Sequence, residues 1–142
     1  MSTSELYEKR IGFTDFESGT FTLSADGTAA TGGTLINPGA NPTLRITTAK
    51  RLKLWYGNIA FLSLINIGSD GRSDGVINNN LNRKSDDGTL ENDQINCINV
   101  QDAGGNGWTG LITAINDTSF DITFTQVGVG LAITGQWHGI ME

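Results

Sequence analysis

Short runs in which every second residue is apolar recur along this chain. Thr20-Phe-Thr-Leu-Ser24 puts Phe21 and Leu23 on one side, and Thr43-Leu-Arg-Ile-Thr47 does the same with Leu44 and Ile46. Leu52, Leu54 and Tyr56 alternate with Arg51, Lys53 and Trp55. Side chains of an extended strand point alternately to two faces, so each run reads as a strand with one dry face and one wet face. Trp108 to Ile115 leads into the turn Asn116-Asp-Thr118, after which Phe120, Ile122 and Phe124 alternate with Asp121, Thr123 and Thr125. The glycines of Val127-Gly-Val-Gly130 supply a further reversal, and Leu131, Ile133, Gly135 and Trp137 then keep one phase. This stretch predicts a three-stranded antiparallel meander whose last strand is held in a sheet.

Strands are thus expected over 19–24, 43–48, 51–56, 107–116, 119–126 and 131–140, with pairing also over Gln94–Val100. The segments Gly68–Gly75, Asn78–Asn80 and Ser85–Gly88 carry turn residues and little to bury, and so read as a long loop region of the kind that often holds function. Helical periodicity is confined to a short turn over Glu5–Arg10, which Ser4 could cap. About eight to ten short strands joined by polar turns give an all-β chain. The expected fold is an antiparallel β-sandwich or jelly roll, with a barrel as the alternative. Residues 1–18 read as an N-terminal arm or first strand, and residues 19–142 as a single β-sandwich domain. Its core should hold Phe21, Leu23, Leu54, Phe120, Ile122, Phe124 and Ile133.

Composition narrows the function. At 142 residues the chain suits one domain with a sizeable core. Only 17% of residues are charged, against a usual value of about 25%, so Asn, Thr, Ser and Gly must finish the surface. The formal net charge is −6 and Lys plus Arg number nine, too few for the dense positive footprint that nucleic acid requires. The cluster Arg45, Lys50, Arg51 and Lys53 fits the solvent face of a strand instead. Ile59–Ile67 is interrupted by Ser63 and Asn66 and is too short to span a bilayer, so no membrane partner is expected. Met1–Arg10 has neither the basic start nor the apolar core of a secretion signal. Synthesis in a cytoplasm, without export by the general route, is therefore expected.

Candidate chemistry is sparse. His138 is the single histidine and sits in a strand beside Trp137, with no nucleophile turn in the sequence to serve. Cys97, the single cysteine, shares a strand phase with Ile95 and reads as a small core residue. One Cys and one His argue against a zinc site. Asp70, Asp74, Asp86, Asp87 and Glu91 form an acidic central segment, but Asp70-x-x-x-Asp74-Gly75 departs from the calcium-loop spacing, and Asx turns explain the same residues. No metal, cofactor or catalytic set is expected. Trp55, Trp108 and Trp137 could stack on sugar rings or could anchor a core or an interface. Strand phase favours the core for Trp137 and an interface for Trp55. Trp55, Trp108 and His138 stand as the positions for an interface or ligand contact.

The order of these segments also carries a resemblance. Gly19-Thr-Phe-Thr-Leu23 is followed by Leu52-Lys-Leu-Trp55, by Gly68-Ser-Asp-Gly71 with Asp74-Gly75, by Ser119-Phe-Asp-Ile-Thr-Phe-Thr125 and by Gln136-Trp-His138. Most of the chain after residue 18 thereby resembles small β-sandwich domains of tailed-bacteriophage virion proteins, such as tail-fibre tips and head decoration proteins. The resemblance implies a non-catalytic structural component of a virion. It would assemble with copies of itself, often as a trimer, and with other virion proteins. A carbohydrate-binding module or host-receptor-binding domain, with a host-surface glycan as partner, is the alternative.

Overall fold

A computed structural model of the chain describes residues 15–55, 59–69, 79–84, 90–92 and 98–142. Its strands are β1 (Asp15–Leu23), β2 (Ala30–Thr31), β3 (Thr34–Ile36), β4 (Thr43–Thr47), β5 (Leu54–Trp55) and β6 (Ile59–Ser69). They continue with β7 (Asn79–Lys84), β8 (Leu90–Asn92), β9 (Ile98–Gln101), β10 (Gly107–Ile115), β11 (Ser119–Val127) and β12 (Ile133–Met141). All the regular structure among the described residues is strand, and every pairing is antiparallel.

Two sheets make a β-sandwich. The first runs β2-β1-β12-β6-β7-β8, with β5 on the opening residues of β6, and the second runs β3-β4-β11-β10-β9. The alternating apolar residues meet between them. Phe21, Leu23, Leu62, Leu64, Ile67, Ile133 and Trp137 of the first sheet pack against Leu44, Ile46, Trp108, Ile112, Phe120, Ile122 and Phe124 of the second. Six of the seven expected core residues are there. Leu54 lies in β5, but its side chain falls outside the described residues.

The expected meander is only half present. β10 and β11 form the hairpin across Asn116–Ser119, but β12 leaves it, crosses to the other sheet and inserts between β1 and β6. The free side of β11 is taken by β4. Alternation reports which face of a strand is dry, and β12 has the same dry face whichever sheet it joins.

Glycine meets aromatic rings where β12 pairs with β1. Gly19 lies opposite Trp137, and Phe21 lies opposite Gly135. A Cβ on Gly135 would come within 2.4 Å of the Phe21 ring, and one on Gly19 within 2.5 Å of the Trp137 indole. Each ring thus covers the backbone that its glycine partner leaves bare, which lets two large rings pack in one strand pair without colliding. Trp137 in turn meets Phe120 of the other sheet edge-on, with centroids 5.3 Å apart, in the arrangement that aromatic quadrupoles favour.

Of the segments expected as a long loop region, Gly68 and Ser69 belong to β6 and Asn79 and Asn80 to β7, while 70–78 and 85–89 lie outside the described residues. β6 is an eleven-residue strand at the heart of the first sheet, and β7 and β8 extend that sheet. β6 hides its period behind a bulge: Gln136 pairs with Ile65 but Thr134 pairs with Gly68, so one extra residue sits in β6. The bulge re-phases the strand, and Leu62, Leu64 and Ile67 all face inward. Within the expected strand over 51–56, Leu54 and Trp55 form β5 and Leu52 is buried and bridged to Met141, while Tyr56 lies outside the described residues. β1 begins at Asp15, ahead of the expected Gly19. Residues 1–14, with the expected turn at Glu5–Arg10, lie outside the described residues.

Candidate functional site

The outward face of the second sheet is built from the polar phase of three strands. β10 presents Thr109, Leu111 and Thr113, β11 presents Thr123 and Thr125, and β9 presents Asn99. Register aligns them in rows: Asn99, Thr109 and Thr125 run side by side across the sheet, and Leu111 lies opposite Thr123. A second bulge adds Thr113 to β10, because Ile112 pairs with Ile122 but Ala114 with Asp121. Together with Ile98 and the bare backbone of Gly110, these residues line a groove of about 300 Å³.

The polar side chains of this face are partly tied to one another. The Thr123 hydroxyl lies 3.0 Å from that of Thr43 and 2.8 Å from that of Thr113, a three-hydroxyl chain across β4, β11 and β10. Gln101 donates its amide to the Asn99 carbonyl oxygen at 2.7 Å. One row away, Asp121 pairs with Arg45 through two parallel bonds of 2.9 and 3.0 Å. Asp121 belongs to the polar phase of β11, yet is only 6% exposed, because the Arg45 guanidinium lies over it. That fork is the strong geometry for a carboxylate, and it raises the Arg45 pKa through the hydrogen bond to Asp121.

The positions expected to make contacts fare differently. Trp108 points inward and is fully buried, so the structure corrects its assignment to an interface or ligand contact. Its ring meets Phe124 edge-on at 6.3 Å, and its indole N–H donates to the Leu131 carbonyl at 2.7 Å. The signal was present in the sequence, since Trp108 shares the phase of Gly110 and Ile112. Trp137 is in the core as expected. His138 is exposed on the outward face of the first sheet, flanked by Ser18 and Ser63, and so stands apart from the groove. Trp55 lies in β5, but its side chain is outside the described residues, as are Cys97, Asp70, Asp74, Asp86, Asp87 and the side chain of Glu91. In the sequence the groove residues look like ordinary surface, as threonine on a wet strand face does. Their clustering at 109, 113, 123 and 125 on one hairpin was the available sign.

The described charges at the two ends of the sandwich serve the scaffold. At one end, Asp26 accepts from the Thr28 hydroxyl at 2.7 Å, the Ser24 hydroxyl at 2.7 Å and the Thr28 amide at 3.1 Å. Asp102 accepts from the amides of Asn106 at 3.0 Å and Gly104 at 2.8 Å. At the other end Lys50 pairs with Asp15 and Arg51 with Asp117, while Glu17 accepts from the amides of Ala49 and Lys50.

The hydrogen bonds from Thr28, then Ser24, hold Asp26 below its ordinary 3.8. The Asn106 amide, ahead of Gly104, does the same for Asp102. A carboxyl with a depressed folded-state pKa contributes stability above its unfolded value of about 3.9, and that contribution is lost as pH falls through the folded values. The melting temperature of Asp26→Asn/Asp102→Asn is therefore expected to fall less steeply than wild type below about pH 4. Thermal melts of the two proteins over an acid pH series check this, and parallel curves would count against the turns.

Chemically, the groove can bind but has no group that titrates near neutrality with which to move a proton. Among the described residues, no three His, Cys, Asp or Glu side chains gather as a metal-ligand set. No protein-family model, curated protein or solved structure matches the chain.

Proposed function

We propose that this chain is a non-catalytic structural subunit of a tailed-bacteriophage particle, a surface-exposed decoration or tail-fibre component. The observation that supports it best is the use made of charge. Asp15, Glu17, Asp26, Asp102, Asp117 and Asp121 are each engaged in an ion pair or in backbone turns. Carboxylates so committed rigidify a scaffold, whereas acid–base catalysis needs such groups free in a pocket. The order of short segments along the sequence, which resembles that of small virion β-sandwich domains, is what supports the place of work. Copies of the same chain, as a trimer for instance, and other virion proteins are the partners this reading requires.

The test has two arms. Phage particles purified from a host that expresses the gene are analysed by quantitative mass spectrometry, and the protein is expected at a reproducible copy number per particle. The purified protein is incubated with host-surface polysaccharide, and no depolymerisation is expected. Absence from the particles, or turnover at an enzyme's rate, would overturn the proposal.

A further inference from the structure

We infer that the threonine-lined groove on the outward face of β9, β10 and β11 is a binding site for a neutral sugar ring. The inference stands on the chemistry of the groove and does not depend on the chain being a virion subunit.

Charge excludes the first class of ligand. Every described side chain that lines the groove is neutral, and the charged pair Arg45 and Asp121, one row away, satisfies itself through two bonds. A phosphate or carboxylate would give up hydration there without gaining a counter-charge. A purely apolar ligand fares no better. Among the described residues the hydroxyls of Thr109 and Thr125 and the side-chain N–H pair of Asn99 make no hydrogen bond, while the Asn99 side-chain oxygen accepts from Gln101. The chain Thr43, Thr123 and Thr113 has three hydroxyl protons and two internal bonds, so one proton is left over, and Thr113 or Thr123 can present it to the groove when the bonds run toward them. An apolar ligand would dehydrate all of these groups without replacing their bonds.

In the middle of those donors and acceptors lies Leu111, a large apolar side chain that is 36% exposed. The complement is a molecule with an apolar face and a rim of groups that both donate and accept. A pyranose, with axial C–H groups on its face and hydroxyls at its edge, has that form. The volume of about 300 Å³ is at the small end of ligand pockets, enough for one or two rings. With no aromatic platform in the groove, a single site should bind in the millimolar range. A many-copy assembly would raise the effective affinity by multivalency.

The experiment is an NMR titration of the ¹⁵N-labelled full chain with D-glucose, D-galactose, D-mannose, L-rhamnose and N-acetyl-D-glucosamine. At least one probe should give saturable shifts centred on the amides of Asn99, Thr109, Leu111, Thr123 and Thr125. Thr109→Val/Thr125→Val keeps side-chain shape and removes both open hydroxyls, so it should bind that probe roughly tenfold or more weakly. Leu111→Asp should abolish binding, with the spectrum itself reporting an intact fold. Three results would overturn the site: no saturable shift with any probe, shifts centred on the His138 face, or a Thr→Val pair that binds as wild type does.

Discussion

Phe124→Ala is expected to lower the unfolding free energy by about 3–5 kcal/mol, the range for deleting a large buried ring. Phe124 is fully buried in the central strand of the second sheet. Its ring packs against Phe21 from the opposite sheet and against Trp108, both at 6.3 Å, and covers the bare backbone of Gly110. Ala in its place would leave a cavity bounded by three rigid partners, with little prospect of collapse. Urea unfolding checks the value, and an unchanged denaturant slope would show that only stability has moved. Thr125→Ala, one residue on and exposed, is the control and should shift stability by no more than about 0.5 kcal/mol. Equal effects at 124 and 125 would mean that the phase of β11 is wrong.

Trp108→Ala should cost a similar amount, about 3–5 kcal/mol, and its effect should spread further. The indole lies beneath the loops at one end of the sandwich. A Cβ on Gly27 would come within 2.9 Å of it, and one on Gly130 within 2.8 Å. Those loops are joined over it by the Gly39 amide donating to Gly27 and by the Val129 amide donating to Asn106. Removing the ring takes away their floor and frees the Leu131 carbonyl that its N–H satisfies. Hydrogen exchange at the Gly39 and Val129 amides is expected to accelerate more than the loss of global stability accounts for. Exchange there that tracks global stability alone would show that the loops hold themselves. Trp108→Phe isolates the indole bond, worth about 1 kcal/mol, from the loss of the ring.

Much of this fold is legible in the alternating runs, because burial on one face imposes a period of two. Phe120, Ile122 and Phe124 could be assigned inward from spacing alone, as could Ile133 and Trp137. β6 resisted for two physical reasons. Its apolar run is nearly continuous, and its bulge breaks the period between Leu64 and Ile67. β7 is written in Asn, Leu, Arg and Lys and takes its strand form from pairing with β6, which tertiary context supplies and composition does not. The partner of β12 was not legible at all, because a dry face fits either sheet. The groove was hidden for a related reason: hydroxyl side chains acquire a shape in common only when β9, β10 and β11 are laid side by side.

The insertion of β12 between β1 and β6 has a consequence for synthesis. By residue 127 the ribosome has supplied every strand of the second sheet, so that sheet can form on a nascent chain. The first sheet cannot, because its two parts, β2-β1 and β6-β7-β8, share no edge until residues 133–141 arrive to join them. A growing chain therefore carries a finished sheet with its apolar face uncovered, which is a state prone to association. The pairing that ends this state links Asp15 to Met141, a loop closure of the slow, long-range kind. Chaperone demand and aggregation of this protein should accordingly concentrate in the interval between translation of β11 and docking of β12.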